Sequence, residues 1–206
     1  MTDSHRSTRA DRFDFSGNFK EIPVRQGSRE WLDLRLSFRM ASETPAVMGL
    51  SPYQTIAQVR AAKLGAKGFV SAAMRKGVRQ EPIARAAYQT SFGKVRPVFL
   101  VADAYGCSLD GINDDASRIL EIKTPYRGRD SERWRNAVKG KVTEYDFAQV
   151  QHQLMVSGAP LAHLWVWDAD SRTGIAVEVL PEKAFWMRIV DAWDAFWPTL
   201  APEPSR

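Results

Sequence analysis

Between Val95 and Pro125 the hydrophobic pattern stops repeating like a helix and starts repeating like a sheet. VRPVFLVAD, GCSLDGIN and RILEIKTP are short, β-branched or alternating, and separated by Asp-Ala-Tyr-Gly and Asn-Asp-Asp turn signals, which is the pattern of a three-strand meander. Helical patterns flank it. Ser28 is placed to cap a short helix in SREWLDLRL, Ser42 to cap another in SETPAVMGL with Gly49 as its stop, and a third runs from Thr55 to Leu64 and ends at Gly65. The Ala- and Arg-rich stretch from Ser71 to about Thr90 reads as a longer helix, with a kink or restart expected at Pro82. Downstream, 129–139 and 146–157 read as helices, LAHLWVWDA and GIAVEVL as a hairpin, and 182–198 as a closing amphipathic helix. These elements predict an α+β fold with one central mixed sheet flanked by helices. Residues 1–25 are polar and aperiodic and are expected to form a flexible arm, leaving a single domain over 26–200.

Composition narrows the chemistry. With 206 residues, 44% of them hydrophobic, the chain can bury a substantial core. Cys107 is the only cysteine, so an intrachain disulfide and a Cys-rich zinc site are excluded. His5, His152 and His163 are scattered, so any metal is expected to be a hard ion held by carboxylates. No run approaches the ~18 apolar residues of a membrane span, and MTDSHRSTRADRFDF has no apolar signal-peptide core, so a cytoplasmic protein is expected.

The net charge of +5 hides two opposed regions. Residues 60–141 carry 17 Lys or Arg against 8 Asp or Glu, whereas 142–206 carry 4 against 9. A basic middle third implies a surface that meets a polyanion such as nucleic acid, and the acidic last third is expected to face away from it.

Strand alternation locates a candidate site in the meander. In GCSLD it puts Ser108 and Asp110 on one face and Cys107 and Leu109 on the other. In RILEIKTP it aligns Ile119, Glu121 and Lys123. Two carboxylates held close repel each other, and a half-buried Lys tends to lose its proton, unless a divalent cation neutralises the group. Asp110, Glu121 and the backbone carbonyl of Ile122 are suitable donors for Mg²⁺, with Lys123 left to orient or deprotonate a water. An ordinary cross-strand ion pair matches the same spacing. Glu81, in the preceding helix, is a further candidate carboxylate, and by itself also reads as a solvated helix residue. Gln149 and Gln153 share one helix face, where two amides suit a metal-bound water, a phosphate, or plain solvent.

The ordered series GSREWLDLRLSFRMASE, RQEPIARAAY, SLDG, LEIKTP and YDFAQVQHQLMVSGA resembles the YqaJ-type viral recombinase family, which includes bacteriophage lambda exonuclease, within the PD-(D/E)XK nuclease superfamily. The resemblance covers about residues 26–180. It implies a PD-(D/E)XK, restriction-endonuclease-like core that hydrolyses DNA. Asp110, Glu121 and Lys123 match the metal-binding and catalytic positions, Glu81 the helix acid near a second metal, and Gln149 the active-site glutamine. Arg35, Ser42, Ser108 and Arg129 match the pocket for the 5′-phosphate of the strand being cut. Leu109 replaces the usual Pro before Asp110, at a position expected to point away from the metal. The implied activity is Mg²⁺-dependent 5′→3′ digestion of one strand of double-stranded DNA with 5′-phosphorylated ends. It uses two ions, with Mn²⁺ able to substitute, releases 5′-mononucleotides and leaves a 3′ overhang. A ring-shaped homotrimer and a single-strand annealing protein as recombination partner are implied in the same way. The alternatives are a site-specific endonuclease on the same core and a non-catalytic DNA-binding protein that keeps the fold.

Overall fold

The structure, a computed structural model, describes residues 18–66 and 70–201. Residues 1–17 of the expected arm lie outside the described residues. Within the same expected arm, however, Lys20–Ile22 form an edge strand, β1, which pairs antiparallel with β3 (Arg96–Ala102). Ile22 packs there with Phe99 and Trp31, a long-range contact that local polarity does not signal.

The expected meander is present as β3, β4 (Tyr105–Ile112) and β5 (Arg118–Lys123), joined antiparallel. The hairpin β6 (Leu161–Asp168) and β7 (Thr173–Val179) extends it, with β6 parallel to β5. A two-residue strand, β2 (Arg39–Met40), pairs parallel with β4, so the mixed sheet has seven strands in the order β1-β3-β4-β5-β6-β7, with β2 off this path.

Helices cover both faces. On one, α2 (Thr44–Val47), α3 (Ile56–Lys63), α6 (Glu144–Ser157) and α7 (Lys183–Phe196) enclose the main core, which takes Leu100, Cys107, Leu109, Ile119, Leu164 and Val177 from the sheet. On the other, α1 (Arg29–Ser37) covers Phe99 and Val101, while α4 (Ala72–Phe92) covers Leu120, Ile122, Trp165 and Trp167. Trp165, Trp167, Trp186 and Trp193 are all buried, which places them in the core.

Local expectations fail in three places. Pro82 neither ends nor restarts α4, which runs continuously from Ala72 to Phe92. Ser42 caps no helix. It lies inside a 3₁₀ turn (Ala41–Glu43) that leads into the short α2. The helix expected over 129–139 divides into a 3₁₀ turn (Gly128–Asp130) and α5 (Glu132–Ala137), because Ser131 takes an extended conformation and caps α5 by accepting from the Trp134 N–H.

Candidate metal and phosphate site

Strand alternation breaks at the first candidate acid. Arg96 faces Ile112 and Val98 faces Leu109, so two steps along β3 correspond to three along β4, and β4 carries a bulge at Asp110–Gly111. Leu109 and Ile112, which simple alternation would put on opposite faces, consequently enter the same core cluster. Gly111 is required there: a Cβ would lie 2.8 Å from the Val95 side chain and 3.2 Å from Leu120. β4 and β5 pair only at Gly111–Leu120 and Ile112–Ile119. Beyond that point Asp110 Oδ2 accepts the Ile122 N–H at 2.7 Å, so a side chain takes the place of a ladder bond.

The opening between the strands faces a polar stripe of α6. Glu121 is buried, and both its oxygens are occupied: Gln149 Nε2 donates to Oε1 at 2.8 Å and Gln153 Nε2 to Oε2 at 2.5 Å. Lys123 Nζ lies 2.8 Å from Glu121 Oε1, donates to Gln149 Oε1 at 2.7 Å, and stands 3.8 Å from Asp146. Asp146 is itself gripped by Arg133, through Nε at 2.6 Å and a second nitrogen at 3.0 Å, and by the Thr143 hydroxyl at 2.8 Å. The acidic last third therefore contributes one buried carboxylate, Asp146, to the surroundings of Lys123. Glu81 forms an ion pair with Arg85, and Arg85 Nε donates to the Asp110 carbonyl at 2.6 Å.

The electrostatics favour a cation. Burial, followed by the charges of Glu121 and Glu81, holds the Asp110 carboxyl well above the usual carboxylate range, despite the Ile122 N–H. Burial works against the Lys123 ammonium, but Glu121 and Asp146 outweigh it and hold its pKa above the ordinary lysine value. Among the described residues no three His, Cys, Asp or Glu side chains are gathered into a ready cage. The donor set of Asp110, Glu121, Glu81 and the Ile122 carbonyl nevertheless fits a hard divalent ion: all are oxygens, and the charge they leave uncompensated at Asp110 is of the sign such an ion relieves.

A second cluster forms around Trp31. Its indole N–H donates to Ser108 Oγ at 2.7 Å, and the Arg35 guanidinium lies 4.7 Å from its ring centroid. Arg35 also donates to Ser42 Oγ at 3.0 Å. Arg35, Ser42 and Ser108 are thus brought together, although 77 residues separate Trp31 from Ser108. Arg129 is placed elsewhere. It pairs with Asp168 at 3.2 Å and donates to Ser171 in the turn after β6 and to Thr173 at the start of β7, and no hydrogen bond links it to Arg35, Ser42 or Ser108.

Asp146 and Arg133 are the polar residues of this region to which the sequence assigned no role, and for Gln153 it offered only a helix face shared with Gln149. The only available signal was the four-residue spacing of the two glutamines. Ser131, which caps α5, fixes the segment carrying Arg133, and nothing local connects that segment to Asp146.

A mixed, twice-covered sheet whose central strands part at an Asp, a Glu and a Lys is the architecture of the PD-(D/E)XK nuclease core. The chain belongs to the YqaJ-like viral recombinase domain family, which matches residues 30–160 and so spans every candidate site residue. Among solved structures, the alkaline exonuclease LHK-Exo from Laribacter hongkongensis has a similar fold, with a TM-score of 0.69 at 24% identity over 84% of this chain and 92% of that one. LHK-Exo in complex with dAMP gives 0.68 at 23% identity, with the same coverage. A phage-related exonuclease from Haemophilus somnus 129PT gives 0.65 at 12% identity over 82% of this chain and 96% of that one. No curated protein matches the chain. No helix among the described residues is long and apolar enough to cross a membrane.

Proposed function

We propose that this protein is a Mg²⁺-dependent 5′→3′ exonuclease acting on double-stranded DNA, in which Asp110, Glu121, Lys123 and Gln149 form the cleavage centre. The observation that carries this reading is the opening between β4 and β5. There, Glu121 and Lys123 meet the polar stripe of a buried helix and Asp110 binds the Ile122 N–H between them, with the Asp110 carboxyl destabilised as an anion by its surroundings. Family membership and the exonuclease names of the structural neighbours support it. Asp110, Glu121, the Ile122 carbonyl and Glu81 would hold Mg²⁺, as one ion or two, with Mn²⁺ as a substitute. When bound, the metal supplies Lewis-acid neutralisation of charge on the scissile phosphate.

The remaining tasks belong to the chain's own groups. Gln149 and Gln153 fix the Glu121 carboxylate in one orientation. Lys123 presents ammonium donors that position the attacking water and offset negative charge in the transition state. Arg35, Ser42 and Ser108 supply a guanidinium and two hydroxyls that suit a terminal phosphate. A 5′-phosphate held there sets which phosphodiester reaches the acids, so that mononucleotides leave one at a time and a 3′ overhang remains. The ring-shaped homotrimer and the annealing partner rest on the family resemblance alone. So does Arg129 as a fourth phosphate ligand, which would have to exchange Asp168 for phosphate.

The test is incubation of 5′-phosphorylated linear duplex and covalently closed circular duplex with Mg²⁺, followed by sizing of the products. Mononucleotides from the linear substrate and intact circles are expected. Cut circles would make the protein an endonuclease, and binding without cleavage of either would make it a non-catalytic DNA-binding protein.

A further inference from the structure

Lys63 is a buried cation to which sequence reasoning assigned no function. It ends α3, and only 1% of its side chain is exposed. Its ammonium donates to the carbonyl of Arg35 and, at 2.6 Å, to that of Phe38, and it pairs with Glu43 at 2.7 Å. The Trp193 and Trp197 rings lie within 5.8 Å of it. Glu43 is buried too and lies 3.7 Å from the Arg35 guanidinium.

The two carbonyls belong to the last turn and C-cap of α1, where a cation satisfies acceptors that no helical N–H reaches. Arg35 is in that turn. Glu43 directly follows Ser42. One ammonium therefore ties together the two segments that carry Arg35 and Ser42, with its donors directed at those segments. Packing alone does not require a charge here. An apolar side chain between two tryptophans would avoid the desolvation of a buried ion. The ammonium is enclosed by two carbonyls and a carboxylate, so it is directed at the chain itself.

We infer that Lys63, with Glu43, is a positioning residue for the 5′-phosphate pocket, holding Arg35 and Ser42 at the separation that a terminal phosphate monoester needs. The inference rests on the reading of Arg35 and Ser42 as phosphate ligands and adds the groups that set their geometry.

The experiment uses the full chain with Mg²⁺ and two linear duplexes that differ only in a 5′-phosphate or a 5′-hydroxyl. The readout is the ratio of their single-turnover rates, which loss of folded protein alone does not change. Lys63→Met is expected to lower this ratio about tenfold or more, the scale of a mispositioned charge-assisted contact, and Lys63→Arg to restore part of it. A folded Lys63→Met protein with the wild-type ratio would overturn the inference. If Lys63→Met does not fold, Glu43→Gln decides. It keeps the helix-cap bonds and removes the charge, so a ratio lowered roughly threefold is expected and an unchanged one counts against the proposal. Arg35→Ala measured in parallel separates the two levels. If it leaves the ratio at the wild-type value, the pocket reading itself fails and the inference with it. If it collapses the ratio while Lys63→Met does not, only the role of Lys63 is lost.

Discussion

Asp110 and Glu121 lie on neighbouring strands, with Arg85 of α4 at one and Gln149 and Gln153 of α6 at the other, whereas Arg35, Ser42 and Ser108 are assembled from a helix end, a 3₁₀ turn and a strand. The two regions are also opposite in charge. Around Asp110 the fold accumulates carboxylates beyond what Lys123 neutralises, and around Trp31 it buries two cations against one acid. In both, the fold leaves a charge that a ligand of the opposite sign would relieve, a divalent cation in one and a phosphate in the other. Ligand-binding free energy in such sites is drawn from strain already present in the unliganded protein. α6 joins them: Gln149 and Gln153 both donate to Glu121, while His152 bonds the Thr44 hydroxyl at 2.6 Å, beside Glu43.

This contrast can be broken from either side. Lys123→Ala should lower the cleavage rate about a thousandfold while leaving duplex affinity nearly unchanged, as measured by single-turnover kinetics and filter binding. Full Mg²⁺-dependent activity in that variant would remove the cleavage centre from β5. Arg35→Ala should slow 5′-phosphorylated ends roughly 10- to 100-fold more than 5′-hydroxyl ends. Equal slowing of both would make Arg35 a general backbone contact.

A third prediction concerns the helix that joins the two regions. Burial, then the charges of Lys63 and Arg39, push the His152 pKa down to about 3, against 6.5 when unfolded. In that interval the unfolded chain binds the extra proton. Stability should therefore be complete above pH 6.5 and fall with acidification by ~1.4 kcal/mol per pH unit, or roughly 2 kcal/mol by about pH 5. Urea midpoints across this range should show the slope, and His152→Asn should flatten it. The smallest expected effect is thermal. Asp110→Asn removes a destabilised anion but keeps an acceptor for the Ile122 N–H, so its Tm in chelator should rise by about 2–5 °C. The same variant should lose the stabilisation that Mg²⁺ gives the wild type, and a Mg²⁺-induced shift of wild-type size would argue against Asp110 as a ligand.

The meander, its hairpin extension and the proximity of Asp110 to Glu121 and Lys123 were legible because strand alternation and turn chemistry act over a few residues. The bulge was not. Alternation would put Leu109 and Ile112 on opposite faces, whereas an extra residue in β4 sends both into one core cluster, and only the pairing with β3 fixes that count. Gln149 and Gln153 could be seen to share a helix face, but nothing along the chain indicates that both amides end on one buried carboxylate. Pro82 shows the converse: no restart follows it, and Ala84 and Tyr88 in the turns beyond it are buried in the cluster against the sheet.

By itself the sequence determined the α+β class, the family, and the chemical types available to the site, since these depend on composition, spacing and local backbone preference. Tertiary structure decided which charges meet. The ionic states of Asp110, Lys123 and Lys63 depend on burial and on partners distant along the chain, and electrostatic energy follows distance in space. The same reason separates Arg129, a match by position, from Arg35, Ser42 and Ser108, which the fold brings together.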